Sequence, residues 1–358
     1  MNIRVLLVIA SFVLSIATGL VIARGGQEGG GAKKRDKVLI GLSLDTLKEA
    51  RWQADRDLFV KRVKELGGEV IDLSANSDDS VQIGDVEKLI TNKVDVLMIV
   101  PHDGKAMAKA VTMAHQAGIP VIAYDRMIKD SDLDLYVSFD NVKVGELQAK
   151  FVVDHLPTPG KGKIVRIYGS KTDANAFLFK QGQDNILKPY IDRGDIKVVH
   201  EDWADDWKPE NAKRIMNAAI TSKGSDFDAV LASNDGTAGG AVQALTEEGL
   251  AGKKLITGQD AELVACQRIA NGTQSMSIYK PLSRLAKTAA ELAMKVAKRE
   301  VVVANQKISN DKIEVPSVLN EVVTVTKDNL IDTVIKDGFH PYEEVYRGVP
   351  EADRPKKP

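Results

Sequence analysis

Cysteine, aromatic residues and an excess of either charge are all scarce in this 358-residue chain. The single cysteine, Cys266, excludes an intramolecular disulfide, a cysteine-rich zinc site and a cysteine-ligated iron–sulfur cluster. Aromatic residues make up 5% of the sequence, and a net charge of −1 lacks the basic surplus that is typical of nucleic-acid-binding proteins. The remaining composition, 44% hydrophobic and 28% charged, is that of a globular protein, and the length predicts two domains.

The motifs of several enzyme and metal-binding classes are also missing from the sequence. There is no GxxxxGK[ST], no GxGxxG after a strand, no GxSxG and no HExxH, and the five histidines are scattered. Asp130, Asp132 and Asp134 imitate the start of a calcium loop, but Leu135 replaces its glycine and Asn141 replaces its final glutamate. With no nucleophile–base pair either, the sequence predicts a binding protein rather than an enzyme, without a metal or a cofactor.

One long hydrophobic run is present, at the amino terminus. Arg4 precedes an apolar stretch from Val5 to Ala23, and Val21 and Ala23 occupy the −3 and −1 positions of a cleavage site before Arg24. This pattern predicts a secretory signal peptide over residues 1–23. An uncleaved membrane anchor is the alternative, because the run could just span a bilayer. The chain is therefore expected to be exported, periplasmic or otherwise extracytoplasmic, and tethered to the membrane if the signal is retained.

Two polar segments flank the predicted folded body. Residues 24–36 are rich in glycine and predict a flexible leader. Residues 346–358 contain three prolines and no apolar periodicity, which predicts a disordered tail.

Between these ends, short apolar strands alternate with amphipathic helices in two successive series. Buried strands without polar alternation indicate parallel sheets covered by helices on both faces. The sequence thus predicts two doubly wound α/β lobes. The pieces after residue 281, which are mainly a predicted helix over 282–299 and one predicted strand over 320–326, are too few for a third domain. We expect them to complete the two lobes through a multi-strand hinge. The predicted N-terminal lobe comprises residues 37–139 plus 282–314, and the C-terminal lobe comprises residues 140–281 plus 315–345.

Polar and aromatic side chains follow many of these strands, at the edge where a doubly wound sheet binds its ligand. Planar carboxylate, amide and guanidinium groups can bond two neighbouring hydroxyls at once, and tryptophan offers a flat apolar face to a sugar ring. The candidate ligand-binding residues are Arg51, Trp52, Asp125, Arg126, Asn175, Trp207, Asn234, Asp260 and Lys280. Taken singly, a loop Asp or Asn is more often a helix cap, and Asp125–Arg126 could be a structural ion pair. For Trp203 we favour a structural role, in the core or at the hinge, over ligand binding.

Several segments together resemble a known family. They are ARWQADRD (50–57), AYDRMI (123–128), SFDNVKVGELQA (138–149), SNDGTAGGAVQAL (233–245), GQDAE (258–262) and YKP (279–281). These segments resemble the periplasmic pentose- and hexose-binding proteins, the substrate-binding components of ABC sugar importers, and within that family the xylose-binding members. The similarity extends from about Lys37 to His340.

The resemblance implies a type I periplasmic-binding-protein fold with three hinge strands that closes over one sugar. It implies that the nine candidates bind this sugar, with Trp52 and Trp207 on either side of the pyranose ring and a pentose, D-xylose, preferred over glucose. It further implies a monomer that delivers its ligand to an ABC transporter permease. The alternative is a sensor that presents its ligand to a membrane chemoreceptor or sensor kinase. A regulator of the lactose-repressor kind would need an N-terminal helix-turn-helix domain, whereas this chain begins with a signal-like segment.

Overall fold

The computed structural model describes residues 37–357, and the predicted signal peptide (1–23) and leader (24–36) lie outside them. The strands are β1 Leu39–Leu44, β2 Glu69–Ser74, β3 Val96–Val100, β4 Val121–Tyr124, β5 Leu135–Phe139, β6 Gly162–Tyr168, β7 Ile196–Trp203, β8 Ala229–Ala232, β9 Leu255–Ile256, β10 Met276–Tyr279, β11 Gln306–Ser309, β12 Glu314–Asn320 and β13 Val323–Thr326. The α-helices are α1 Ala50–Glu65, α2 Asp79–Thr91, α3 Ala108–Gln116, α4 Asn141–His155, α5 Ala174–Asp192, α6 Pro209–Lys223, α7 Asp235–Glu247, α8 Leu263–Asn271, α9 Leu282–Ala297 and α10 Tyr342–Val345. Within residues 37–357, no helix has the length and apolar content needed to span a bilayer.

The first lobe is built on a seven-stranded sheet in the order β11-β12-β5-β4-β3-β1-β2. All its neighbouring strands run parallel except β11, which is antiparallel to β12 at the edge. Strands β1, β3, β4 and β5 are buried along their whole length because apolar clusters pack on both faces. Helix α9 belongs to this lobe, since Leu282, Leu285 and Ala289 pack in the same cluster as Ile40 and Trp52.

The second lobe contains a four-stranded parallel sheet in the order β7-β6-β8-β9, together with an antiparallel pair of β10 and β13. The chain passes between the lobes three times: after β5, after β10 and between β12 and β13. The carboxyl ends of the strands in both lobes open onto the cleft between them. This is the doubly wound, two-lobed architecture that the sequence predicts.

One predicted lobe boundary differs from the structure. The sequence places all of residues 315–345 in the second lobe, because it predicts a single strand over 320–326. Instead, Val315–Asn320 lie in β12, where Ser317–Asn320 pair with Tyr136–Phe139 of β5 in the first lobe. The third crossing therefore follows Asn320, and Val323–Thr326 form the separate strand β13 beside β10.

The predicted disordered tail is ordered over most of its length. Tyr346 and Val349 are buried in a cluster with Leu330 and Val334. A short 3₁₀ turn follows at Glu351–Asp353. The prediction was wrong because two apolar side chains that are three residues apart suffice to pack an irregular segment, without the regular spacing of a helix or strand.

Candidate functional site

A cavity of about 610 Å³ lies between the lobes, at the carboxyl ends of their strands. All nine of the residues predicted from the sequence line it, four from the first lobe and five from the second. The first lobe contributes Arg51, Trp52, Asp125 and Arg126, and the second contributes Asn175, Trp207, Asn234, Asp260 and Lys280.

Arg51 connects the two lobes from the first turn of α1. Its Nε donates to Asp55 at 3.2 Å, Nη1 donates to Asp260 of the second lobe at 3.0 Å, and Nη2 donates to Asp125. Burial would lower the pKa of Arg51, but the surrounding carboxylates raise it well above its usual value. The cavity therefore has a permanently charged guanidinium in its wall.

Asp125 stands directly after β4 with its backbone in the left-handed region, at φ 62°. The hydroxyls of Tyr136 and Ser138 donate to its carbonyl oxygen at 2.8 and 2.7 Å, which holds this unusual conformation. Burial acts to raise the pKa of the carboxyl group, but the charges of Arg51 and Lys280 outweigh it, so that the pKa is lowered. Asp125 is thus an ionised acceptor for hydroxyl donors.

Arg126 forms a second connection across the cleft. Its Nη1 donates to Asp45 of the first lobe at 2.8 Å, and its Nε lies 3.0 Å from Oδ2 of Asp173 in the second. The guanidinium also lies over the ring of Trp52, 5.1 Å from its centroid. Arg126 therefore forms ion pairs with Asp45 and Asp173, and not the pair with Asp125 that the sequence left open as an alternative.

Asp260 and Lys280 form the matching charged pair of the second lobe. The ammonium of Lys280 lies 2.9 Å from Oδ1 of Asp260, and the lysine side chain is 1% exposed. The φ of Asp260 is 94°, so this residue also has a left-handed backbone. For a residue other than glycine, this backbone conformation costs on the order of 1–3 kcal/mol, and it is typical of functional sites.

Trp207 is the third candidate with a left-handed backbone, at φ 57°. Its Nε1 donates to Asp173 at 3.1 Å, and its ring meets Phe179 edge-on at 6.2 Å. Gly169 makes room for the indole, since a Cβ at that position would lie 1.9 Å from the ring. The tryptophan is therefore fixed against the wall by a specific local arrangement.

Asn175 and Asn234 both line the cavity and also form hydrogen bonds within the protein. Asn234 caps α7, because its Oδ1 accepts from the backbone N–H of Thr237 at 2.8 Å. Asn175 donates from Nδ2 to the carbonyl of Asp125 at 3.0 Å, across the cleft, and its Oδ1 accepts from Asn141 at 2.9 Å. The helix-cap interpretation therefore holds for Asn234, while Asp173 caps α5 ahead of Asn175.

The cavity wall also includes residues that sequence reasoning did not select, notably Asp173, Phe179, Gln259, Glu262, Leu282 and His340. Asp173 carried a usable signal, because it lies in the loop after β6, two residues before the selected Asn175. Phe179 carried none, since it reaches the cavity only through the packing of α5. Trp203 lies elsewhere, between Tyr168 and Phe177, with ring centroids 4.8 Å apart and the rings tilted by 39° in both contacts.

These groups suit the recognition of a small polyhydroxyl compound. Ionised carboxylates accept from hydroxyl donors, the cations and amides donate to hydroxyl acceptors, and Trp52, Trp207 and Phe179 supply flat apolar surface. Over residues 37–357 there is no cluster of three or more His, Cys, Asp or Glu side chains arranged to hold a metal ion.

Two parallel α/β lobes, three crossings between them and a polar cleft at the strand ends define a type I periplasmic-binding-protein fold. Comparison with known proteins gives the same result. The chain belongs to the periplasmic-binding-protein family, since residues 40–300 match the model of the periplasmic binding protein domain.

Relatives with established names cover almost the whole chain. It is 47% identical to the D-xylose-binding periplasmic protein of Escherichia coli over 94% of its own length and 99% of the relative. It is 49% identical to the D-xylose-binding periplasmic protein of Haemophilus influenzae over 86% of its length and 92% of the relative.

A solved structure supports the fold independently. The carbohydrate-transporter solute-binding protein of Chloroflexus aurantiacus, in complex with D-glucose, superposes with a TM-score of 0.82 at 30% identity. The alignment covers 90% of this chain and all of that one.

Proposed function

We propose that this protein is the solute-binding component of an ABC importer and that it captures a monosaccharide, D-xylose, in the cleft between its lobes. The observation that carries the proposal is the convergence of nine polar and aromatic side chains from both lobes on one cavity of about 610 Å³. The named relatives support the choice of sugar, because those at 47% and 49% identity are D-xylose-binding proteins, whereas the D-glucose complex is a more distant relative at 30% identity.

Binding proceeds by hinge closure. The sugar enters the open cleft, its hydroxyls bond to groups of both lobes, and the closed form becomes the stable one. The pairs Arg51–Asp260 and Arg126–Asp173, which join the lobes across the cleft, would help to hold the closed form. A membrane permease then recognises the closed form and receives the sugar. No chemical step is needed.

The location follows from the same proposal. The named relatives are periplasmic proteins, and export through a cleaved signal peptide at residues 1–23 would bring the chain to that compartment. The alternative is that the chain presents its sugar to a membrane chemoreceptor or sensor kinase. A relative at 35% identity is itself a multiple sugar-binding periplasmic receptor, from Rhizobium radiobacter.

Titration calorimetry with D-xylose, L-arabinose, D-ribose and D-glucose tests the proposal. We expect one D-xylose per chain with a Kd near or below 1 μM, corresponding to about 8 kcal/mol, and weaker binding of the other sugars. Micromolar binding of a hexose in preference to D-xylose would overturn the choice of substrate. If none of the four sugars bound, the proposed function would be wrong.

Titration of the Asp260→Asn variant with D-xylose tests whether the sugar binds at this site. The substitution removes the charge that pairs with Arg51 and Lys280 while allowing the left-handed backbone, which Asn tolerates well. We expect a loss of affinity of about 100-fold, in line with the loss of a charged hydrogen-bond acceptor. Asp192→Asn is the matched control, because Asp192 is an exposed carboxylate that pairs with Lys188 on the surface of α5. Equal affinities of the two variants would place the sugar elsewhere.

A further inference from the structure

A histidine of the first lobe meets an aspartate of the second beside the cavity. His102 follows β3, and its side chain is 15% exposed. Its Nδ1 lies 2.9 Å from Oδ1 of Asp79 in the same lobe, and its Nε2 lies 3.9 Å from Oδ1 of Asp206 in the other lobe. Within the part of the chain that the structure describes, the buried Nε2 has no hydrogen-bond partner.

Asp206 directly precedes Trp207 in a turn that contributes to the cavity wall. Both residues have a left-handed backbone, with φ 53° and 57°. Lys208 donates to Asp206 at 2.8 Å, and this hydrogen bond lowers the pKa of the Asp206 carboxyl, so the group is ionised at neutral pH. The histidine therefore faces a negative charge on the strained turn that positions the tryptophan.

We propose that His102 is a positioning residue for ligand binding: its protonated form bridges Asp79 and Asp206, and thereby ties the first lobe to the turn that carries Trp207. The contact with Asp206 exists only when the lobes are together. Protonation of His102 consequently favours the closed form, and ligand affinity rises as the pH falls. This inference rests on the proposed function, because it assigns a residue to the same cleft.

Other charged groups face the same small space between the lobes. From the loop after β1 come Asp45, Lys48 and Glu49, from the loop after β4 comes Arg126, and from the Asp206 turn comes Lys208. Arg126 forms an ion pair with Asp45 at 2.8 Å, and Lys208 forms one with Asp206. Taken with Asp79 and Asp206, the carboxylates outnumber the cations in this space.

The expected size of the effect is modest, because Asp206 is partly exposed. Ion pairs of this kind change an equilibrium by about two- to fivefold. We expect D-xylose to bind roughly threefold more tightly at pH 6 than at pH 8 because of His102. Glu262, whose pKa burial raises to about 8, adds a pH dependence that all variants share. The test therefore compares variants and does not rely on the wild type alone.

The experiment is titration of the full chain with D-xylose at pH 6 and pH 8. His102→Gln and Asp206→Asn should each lose the roughly threefold contribution, since one removes the titrating group and the other removes its partner's charge. His115→Gln is the matched control: His115 pairs with Asp134 at 2.7 Å entirely within the first lobe. Its pH dependence should equal that of the wild type. An unchanged pH dependence in His102→Gln would overturn the inference.

A second measurement keeps the inference testable if D-xylose does not bind, which would contradict the proposed function alone. Spin labels on cysteines introduced at the exposed residues Glu87, in α2, and Lys223, in α6, report the distance between the lobes in the ligand-free protein. Cys266 is buried and does not compete for the label. The population with the shorter distance should increase from pH 8 to pH 6, and His102→Gln should abolish this increase. The same increase in His102→Gln would refute the role of His102.

Discussion

Trp203 and Trp207 are four residues apart in the chain but have different surroundings. The indole of Trp207 lines the cavity and is held by Asp173 and Gly169, whereas Trp203 packs at a tilt against Tyr168 and Phe177, away from the cavity. Trp207→Ala should weaken D-xylose binding by about 10- to 100-fold, because a large apolar contact with the ring is lost. Trp203→Ala should change the affinity less than about threefold. Calorimetric titration of both variants checks this, and a larger loss for Trp203 would show that the wrong tryptophan was assigned.

The buried carboxyl of Asp235 should make the stability of the folded protein depend on pH. This group accepts hydrogen bonds from Gln274 and Ser277, and burial raises its pKa to about 7. Since this value lies above the unfolded-state pKa of about 3.9, the folded state binds an extra proton between the two. The contribution of Asp235 to stability is therefore fully present below about pH 4 and declines as the pH rises through 7.

Asp235→Asn should remove this decline. Urea unfolding at pH 5, 6 and 7 should show a free energy of unfolding that falls less steeply than in the wild type, by up to about 1.4 kcal/mol per pH unit. Asp192→Asn, a change of an exposed carboxylate, should leave the wild-type slope in place. Identical slopes in Asp235→Asn and the wild type would contradict the assigned titration.

For single residues, the sequence predicts which side chains lie at the cleft but not which partners they bond to. Asp125, Arg126 and Asp260 follow strands in recognisable segments, so their place at the cleft could be predicted. Their partners could not, because Asp45 and Asp173 meet Arg126 from different lobes and are far apart in the chain. Only the folded arrangement brings these charges together.

Among the secondary-structure elements, helices α4 and α5 of the second lobe pack unusually close to each other. Gly145 and Gly182 allow this approach, since a Cβ on either would lie 2.0 or 1.9 Å from a backbone oxygen of the facing helix. Helix α5 also carries Asn175 and Phe179 into the cavity wall. The distance between the two helices therefore bears directly on the site.

Gly182→Ala should force the helices apart. We expect a loss of stability of about 1–3 kcal/mol, as for an overpacked core, together with weaker binding of D-xylose. Gly84→Ala in α2 is the matched control, because a Cβ there meets no atom within 4 Å. That change should stabilise the protein by up to about 1 kcal/mol. Thermal unfolding and titration of both variants check the pair, and equal stabilities would show that the helix contact tolerates a methyl group.

Most elements could be predicted from apolar periodicity, but not their sheet partners. The residues from Asn320 to Thr326 looked like one strand, yet Asn320 ends β12 in the first sheet and Val323 begins β13 in the second lobe. Strand pairing is decided by which sheet edge is open nearby, and a single sequence contains no direct record of this.

At the scale of the whole molecule, the three crossings and the bonds between the lobes describe a hinged binding protein. The two-lobed fold follows from the alternation of strands and helices. The way in which the lobes face each other does not, because it depends on contacts such as Arg51–Asp260 and Asn175–Asp125, which join residues of different lobes. Closure over a ligand is the property on which the proposed function depends.

A crystal structure of the protein grown with D-xylose tests the central claim most directly. We expect one pyranose in the cleft, stacked on Trp52 and Trp207, with its hydroxyls bonded to Asp125 and Asp260 and the lobes closed. A sugar bound outside the cleft, or an empty cleft at saturating D-xylose, would contradict it.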